Sequence, residues 1–424
     1  MSDPDTLWHD SAAEPPVGAA LGADLSVDLA VIGGGFTGCA AALEAAGQGA
    51  SVCVLEAQDV GHGGSGRNVG LVNAGLWLAP DVIAAQMGAA AAERLNDLLA
   101  GAPGRVFDLI ERHAIDCAPV RKGTLYCAHA PAAVAALHDR ARQGNRMGAP
   151  LRVLDAAETA RRTGAAGLHG ALFDPRAGTV QPLAYCRGLA RAAQMRGARI
   201  HPRSAVTRLV RDGTGWLLTA NGHEVRAARV LLATNAYHDG LRCPVTPRFV
   251  PVAYSQFATD PLPDALLARI LPGGEGCWDT ALIMSSFRLD AQGRMIVGGL
   301  GDMAGPGGAL HRGWARRKLA ALYPALADMP FQHAWSGRIA MTRDHVPKIV
   351  SLGPGGLSCF GYSGRGIGPG TVFGTLAARA LLGGDMAVLP VSPDRTHSEP
   401  FARARQVVYE FGAAAIHGLS GRLR

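Results

Sequence analysis

Lysine is almost missing from this chain: Lys122, Lys318 and Lys348 are the only three in 424 residues. Arginine carries nearly all the positive charge, 41 basic residues against 34 acidic ones giving a net +7. No five like charges stand in a row, and no basic tract is interleaved with aromatics, so the pattern of a nucleic-acid surface is missing. The eight cysteines contain no C-x-x-C pair, which argues against a zinc site or a disulfide framework, and no metal is expected. No stretch of eighteen apolar residues occurs, so no transmembrane segment is expected. Residues 1–10 are polar and acidic, with neither a basic start nor an apolar core, so no signal peptide is expected and the cytoplasm is the expected compartment.

What the chain has in quantity is glycine, 56 residues, and apolar side chains, 48%. Its length suits two domains better than one. The informative glycines are in Gly33-Gly34-Gly35-Phe36-Thr37-Gly38. An apolar run from Val27 to Ile32 precedes them; a small-residue helical pattern over 36–48 follows, then a second apolar run from Ser51 to Leu55 that ends on Glu56. Strand, glycine turn, helix, strand and acid make up the dinucleotide-binding βαβ unit. Gly33 allows a tight exit from the strand. Gly35 lets backbone approach a pyrophosphate, and Gly38 lets the helix pack close to the sheet. The helix N-terminus offers free N–H groups to phosphate. Glu56 suits a ribose diol.

Further along, 61–75 reads as a glycine- and asparagine-rich loop and 80–113 as a helical region, with 132–146 and 181–196 as further helices. A strand is expected at 199–201, a hairpin at 206–211 and 216–220 around Asp212-Gly213-Thr214-Gly215, and a buried strand at 229–236. A second hairpin is expected at 281–289 and 293–299. Residues 1–26 read as an ordered or half-ordered arm rich in Ala and Pro. Strand, glycine loop and helix return over 336–382. The pattern suggests a nucleotide domain built from separated segments with a substrate domain inserted between them.

Four segments now stand in fixed order: the fingerprint, Gly63-Gly64-Ser65-Gly66-Arg67-Asn68, Leu231-Leu232-Ala233-Thr234-Asn235-Ala236, and Gly361-Tyr362-Ser363-Gly364-Arg365-Gly366. Over residues 24–385 the chain resembles the FAD-dependent amine and amino-acid oxidoreductases of the D-amino-acid oxidase, glycine oxidase and sarcosine oxidase superfamily. Within it the resemblance is to gamma-glutamylputrescine oxidoreductase-like and L-pipecolate oxidase-like members. It implies an α/β fold (α+β overall), with a Rossmann-like FAD-binding domain and an inserted antiparallel-sheet substrate domain. The FAD-binding domain is expected from 1–85, 150–245 and 336–424, the substrate domain from 86–149 and 246–335. The implied cofactor contacts are Gly33, Gly35, Phe36, Thr37 and Gly38; Glu56 and Ala57; Ser65, Gly66, Arg67, Asn68 and Val69; Val206, Thr234, Asn235 and Ala236; and Gly364, Gly366, Ile367 and Thr371.

A second cofactor segment so far downstream fits FAD better than a nicotinamide cofactor. A helix over 370–382 would point its N-terminus at the pyrimidine edge of the flavin, where negative charge gathers on reduction, and Arg365 would add a cation. Relatives usually have His at that position; the other reading of Arg365 is a loop cap at the surface. The expected reaction takes hydride from the carbon beside a neutral amine to flavin N5, leaving an imine. Arg365 and Tyr362 are the expected catalytic residues. Arg338, in Trp335-Ser336-Gly337-Arg338, is expected to clamp a substrate carboxylate through its bidentate fork, or else to pair with Asp344. Tyr254, Trp278 and Trp335 are expected pocket walls. The expected substrate is a secondary amine or amino acid, L-pipecolate first, with gamma-glutamylputrescine or another polyamine-derived amine next. Oxygen, giving hydrogen peroxide, or a quinone chain would take the electrons. A flavoprotein acting on tRNA and a flavin-binding module without catalysis are the rival classes. Cys359, beside the last motif, is either a flavin attachment point or a buried thiol.

Overall fold

The apolar runs around the fingerprint form the strands Leu25–Ile32 and Val52–Leu55, joined by the helix Phe36–Gly47. This computed structural model describes residues 6–303 and 307–419. The two strands pair in parallel, Leu29 against Val52 and Ile32 against Leu55. On its other edge Leu25–Ile32 pairs in parallel with His223–Leu232. The sheet runs Lys348–Gly353, Gly356–Phe360, His223–Leu232, Leu25–Ile32, Val52–Leu55, Arg199–His201. The hairpin Val206–Asp212 and Gly215–Ala220 hangs from the long strand His223–Leu232. Strand order reverses on the two sides of the fingerprint strand, which puts a ligand crevice at its carboxyl end.

A second sheet of eight strands lies against the first unit. Its order is Phe331–Met341, Val250–Pro261, Arg294–Leu300, Ser286–Leu289, Gly276–Asp279, Thr124–Cys127, Ala171–Asp174, Arg152–Leu154. All its pairs are antiparallel except Gly276–Asp279 with Thr124–Cys127. One face packs on the helix Gly308–Leu322 through Phe257, Phe287, Met295, Val297 and Trp314. The other face looks toward the glycine loops. The chain therefore has the expected combination of a Rossmann-like domain and an antiparallel-sheet domain.

The expected boundaries between the two need correction. Arg152–Leu154 and Ala171–Asp174, assigned to the cofactor segments, are strands of the antiparallel sheet, and so is the whole of Phe331–Met341, which the expected boundary at 335/336 cuts in two. The helical region expected over 80–113 divides at Gly88 and Gly101 into Pro80–Met87, Ala89–Ala100 and Ala102–Arg112. The last two bury Leu95, Leu99, Val106 and Ile110 in the core under the nucleotide sheet, not in the substrate domain. In the second hairpin the first strand is only Ser286–Leu289. Residues 281–285 are held off the ladder by the buried Asp279, whose carboxylate accepts from the backbone N–H of Ala281 and Ser285 and pairs with Lys318 at 2.6 Å.

Both ends of the described chain dock on the rest of the fold. Residues 1–5 of the expected arm lie outside the described residues. The short helix Leu7–Ser11 buries Leu7 and Trp8 completely. Near the other end, Ala402–Leu419 docks on Gly308–Leu322. There the His417 ring stacks on Trp314 at 3.9 Å, and its Nδ1 lies 2.8 Å from His311 Nδ1.

Candidate active site

The crevice is built from backbone brought close to backbone. A Cβ on Gly38 would lie 1.9 Å from the carbonyl oxygen of Gly33, and one on Gly33, at φ +106°, would lie 2.9 Å from that of Ala233. The fingerprint helix thus sits on its strand, and the strand exit sits on the end of His223–Leu232. Asn235, in the left-handed region at φ 45°, accepts the Gly361 N–H at 3.0 Å. Tyr237 lies across Gly63, and its hydroxyl accepts the Arg338 N–H. Four segments far apart in sequence therefore meet around one crevice.

Glu56 closes the crevice at the end of the second strand. Its carboxylate accepts from Gly34 N–H at 2.7 Å and Gln58 N–H at 2.9 Å, and the adjoining Ala57 N–H also turns to it. Burial pushes its carboxyl up against these lowering contacts. Two carboxylate oxygens have about four acceptor positions, so a diol can still be bound. Val206 is buried in the cluster beneath the hairpin.

The loop after the second strand lies over the fingerprint turn. Ser65 Oγ accepts the Phe36 N–H at 3.0 Å. The side chains of Arg67 and Asn68 are spent on internal bonds: Arg67 reaches His62 O and Ser336 O, and Asn68 reaches Gly64 O, Ser65 O and the Gly70 N–H. Gly66 is buried and Val69 packs beside Trp8. The backbone of this loop is thereby fixed where an anion nest is useful.

The last segment starts the helix Ile367–Gly383, capped by Gly366. A Cβ on Gly366 would meet no protein atom within 4 Å, and one on Gly364 first meets Ile339 at 3.8 Å. This helix start is bare, as a flat ring approaching its N–H groups requires. Ile367 is buried, and Thr371 bonds Tyr185 and the Ile367 carbonyl inside the core, so its hydroxyl serves the helix and not a phosphate. Thr234 likewise bonds His238, and Ala236 is buried. Cys359 is buried on its strand, its thiol pushed up to about 12 by burial, which leaves it protonated and a poor nucleophile.

One expected catalytic residue, Tyr362, and two expected substrate residues, Trp335 and Arg338, lie away from the cavity. Tyr362 is behind the fingerprint: its hydroxyl bonds Thr37 Oγ1 at 2.8 Å and its ring meets Phe373 edge-on. It braces two cofactor segments. Trp335 is fully buried against Trp8, and its ring N–H donates to Arg67 O, so it supports the loop and lines no pocket. Arg338 has a side chain 41% exposed; it pairs with Asp239 and stacks on Tyr237. Asp344, the other partner weighed for it, pairs with Lys348.

Tyr254 and Trp278 do face the interior between the two sheets. Tyr254 lies across Gly337 with its hydroxyl buried and unpaired among the described residues, and the neighbouring Gln256 Oε1, over Gly298, is likewise unpaired. Trp278 stacks on Tyr126 at 3.7 Å and has Arg365 over its other face at 4.7 Å. Trp278 and Tyr126 border a cavity of about 90 Å³ shared with Asn73, Arg140 and Arg365. Arg365 is therefore no surface cap. Its Nη1 donates to Ala74 O, and burial, then the charge of Arg140, pushes it down to about 9, still cationic at neutral pH. Sequence reasoning missed Tyr237, Gln256, Tyr126, Arg140 and the buried Arg288, which holds Gly70 O and Val180 O. No local motif marks them.

The family model for FAD dependent oxidoreductases (DAO) matches residues 28–380, and the chain belongs to that family. Its cofactor is FAD, and the crevice fits it: close backbone at the fingerprint, an acid at the ribose end and an unfilled helix start at the other. Gamma-glutamylputrescine oxidoreductase of Escherichia coli is 30% identical over 410 residues, 95% of each chain. Glycine oxidase from Geobacillus kaustophilus superposes with a TM-score of 0.73 at 22% identity, covering 88% of this chain and 100% of that one. L-amino acid deaminase from Proteus vulgaris gives 0.70 at 19%, covering 87% and 92%. The protein is thus an FAD-dependent amine or amino-acid oxidoreductase. Among the described residues no helix is long and apolar enough to cross a membrane.

Proposed function

We propose that the chain oxidises the C–N bond of an extended amine of the gamma-glutamylputrescine type. The observation that carries this is the placement of Arg338 at the surface on Asp239. The inward positions of that strand are Gly337, under Tyr254, and Ile339, beside Gly364. No cation projects there to hold a carboxylate next to the reacting carbon. The E. coli relative, named for an aminoalkyl amide, spans the same length of chain.

Bound FAD supplies the two-electron acceptor. The protein's own residues do the rest. Trp278 and Tyr126 give the cavity a wall of ring surface, which penalises an ammonium and favours the neutral amine. Tyr254 and Gln256 each present an unpaired polar atom that suits an amine N–H. Arg365, in the turn before Ile367–Gly383, puts a fixed positive charge on the Trp278 side of the cavity.

L-pipecolate remains the second reading, favoured by Arg365 itself: a compact ring with its carboxylate on that guanidinium would stack on Trp278. Anaerobic mixing with gamma-glutamylputrescine, putrescine, L-pipecolate, L-proline, sarcosine and glycine separates the two. Bleaching of the oxidised-flavin band by gamma-glutamylputrescine ahead of the cyclic acids is expected. Fast bleaching by L-pipecolate with none by the extended amine would reverse the order. Peroxide release on readmitting air would identify oxygen as an acceptor, and its absence would favour a quinone chain.

A further inference from the structure

Two guanidinium groups border the cavity, and neither has a carboxylate partner. Arg140 comes from the helix Val134–Arg146 and Arg365 from the turn before Ile367–Gly383. Arg140 lies over Tyr126 at 6.0 Å, Tyr126 stacks on Trp278 at 3.7 Å, and Arg365 lies over Trp278 at 4.7 Å. Two cations thus enclose a pair of rings. Their protein acceptors are backbone carbonyls: Leu76, Trp77 and Leu78 for Arg140, Ala74 and Gly75 for Arg365. Carbonyls satisfy N–H donors without bringing a negative charge into contact, and the carboxylate whose field reaches both groups is Asp174. The nearby Asp174 is occupied by Arg176 through both of its oxygens, and Asp97 stands exposed at the rim.

Like charges in one enclosure repel unless an anion joins them. Burial lowers the basicity of both groups, Arg140 lowers that of Arg365 further, and Asp174 acts the other way on both. Both guanidinium groups line one cavity with Tyr126 and Trp278, which gives a carboxylate and its neighbouring methylenes a place to sit. We propose that Arg140 and Arg365 form a carboxylate subsite for the tail of the amine substrate, with Arg140 the residue that selects an anionic tail. The ring pair between them is the wall along which the aliphatic part lies, and burial keeps the Tyr126 phenol protonated as a further donor.

The link to a substrate tail rests on the reading of the chain as an extended-amine oxidase, but the anion site can be tested without turnover. FAD-loaded protein is titrated with glutarate and with its neutral diamide, following the thermal midpoint and the flavin difference spectrum. Glutarate is expected to shift both and the diamide neither. R140Q is expected to raise the half-saturating glutarate concentration by roughly 10- to 100-fold, the loss of one charge-assisted hydrogen bond, and R140K by less. With whichever amine reduces the flavin, capping its tail carboxylate as the amide should raise KM in the native enzyme far more than in R140Q. No response of the native protein to glutarate, or an equal response to the diamide, overturns the subsite; so does glutarate binding unchanged in folded R140Q. If R140Q does not fold, the glutarate–diamide comparison on native protein decides alone. Glutarate binding with no amine reducing the flavin would sink the oxidase reading and leave the anion site standing.

Discussion

The two sheets use glycine in opposite ways. In the nucleotide sheet a missing Cβ lets backbone meet backbone: Gly38 on the Gly33 carbonyl, Gly33 on that of Ala233, Gly374 on that of Thr37 at 2.1 Å. In the antiparallel sheet a missing Cβ makes room for a neighbour's side chain: Gly337 under the Tyr254 hydroxyl at 2.3 Å, Gly298 under Gln256 at 2.1 Å, Gly276 under Leu71 at 2.2 Å. Cofactor recognition by main chain is indifferent to most side chains. Substrate recognition by side chains is adjustable, one cross-strand pair at a time. One scaffold can therefore keep its flavin while changing its amine.

The largest expected effect comes from breaking a backbone-on-backbone contact. Gly38→Val should cost about 3 kcal/mol or more, because a carbonyl cannot step aside as a side chain tip can, and the purified protein should be colourless. Gly366→Ala sharpens the point: its methyl meets no protein atom, so the melting temperature of apoprotein should hold while the flavin-to-protein ratio falls. Normal flavin content in both variants would contradict the crevice.

Next in size is Trp335→Ala. Loss of a fully buried indole should cost about 3–5 kcal/mol, seen as a lower melting temperature, with the ranking of amines by kcat/KM unchanged. A changed ranking would return Trp335 to the substrate wall.

The contact between Gly308–Leu322 and Ala402–Leu419 should respond to acid. Burial first, then the neighbouring His311 and Arg317, push His417 down to about 3, and burial pushes His311 down despite Asp302. The folded state therefore binds fewer protons than the unfolded one below the ordinary histidine value of about 6.5. Stability from this pair is present above that pH and is lost as pH falls from about 6.5 toward 3. Melting temperature should drop over that window in the native protein and less in His417→Phe. Equal slopes would exclude the pair.

The smallest effect is expected at Arg338. An exposed ion pair contributes about 0–1 kcal/mol, so Arg338→Leu should leave stability and KM within about threefold. A hundredfold rise in KM for a compact amino acid would restore it as the clamp.

The cofactor side was legible because its constraints are local in sequence. Gly33, Gly35, Gly38 and Glu56 fall at fixed spacing on one strand–helix–strand unit, and the loop at 63–68 and the turn at 361–366 announce themselves by composition. Substrate-side residues carry no such signature. Trp335 and Trp278 look alike as sequence; cross-strand register and the choice of face put one behind the loop and the other on the cavity. Arg338 differs from its inward neighbours Gly337 and Ile339 only by the period-two alternation of a strand. Arg140 sits in a helix whose amphipathic pattern gives no sign that its arginine lies over Tyr126 and shares a cavity with Trp278, 138 residues further along the chain. The misplaced domain boundaries have the same origin: short strands such as Arg152–Leu154 reveal their sheet only through their partner.

Trp8 donates its ring N–H to Asn68 O, and Gln181 donates to Trp8 O, while the Trp8 ring rests edge-on against Trp335. On a ribosome these partners emerge at widely separated times. The first turn of helix must wait for residue 335 before its site exists, and the fingerprint turn must wait for the helix Ile367–Gly383. Flavin capture is thus confined to the end of synthesis. A stalled or prematurely terminated chain would hold every glycine of the first motif and still have no cofactor.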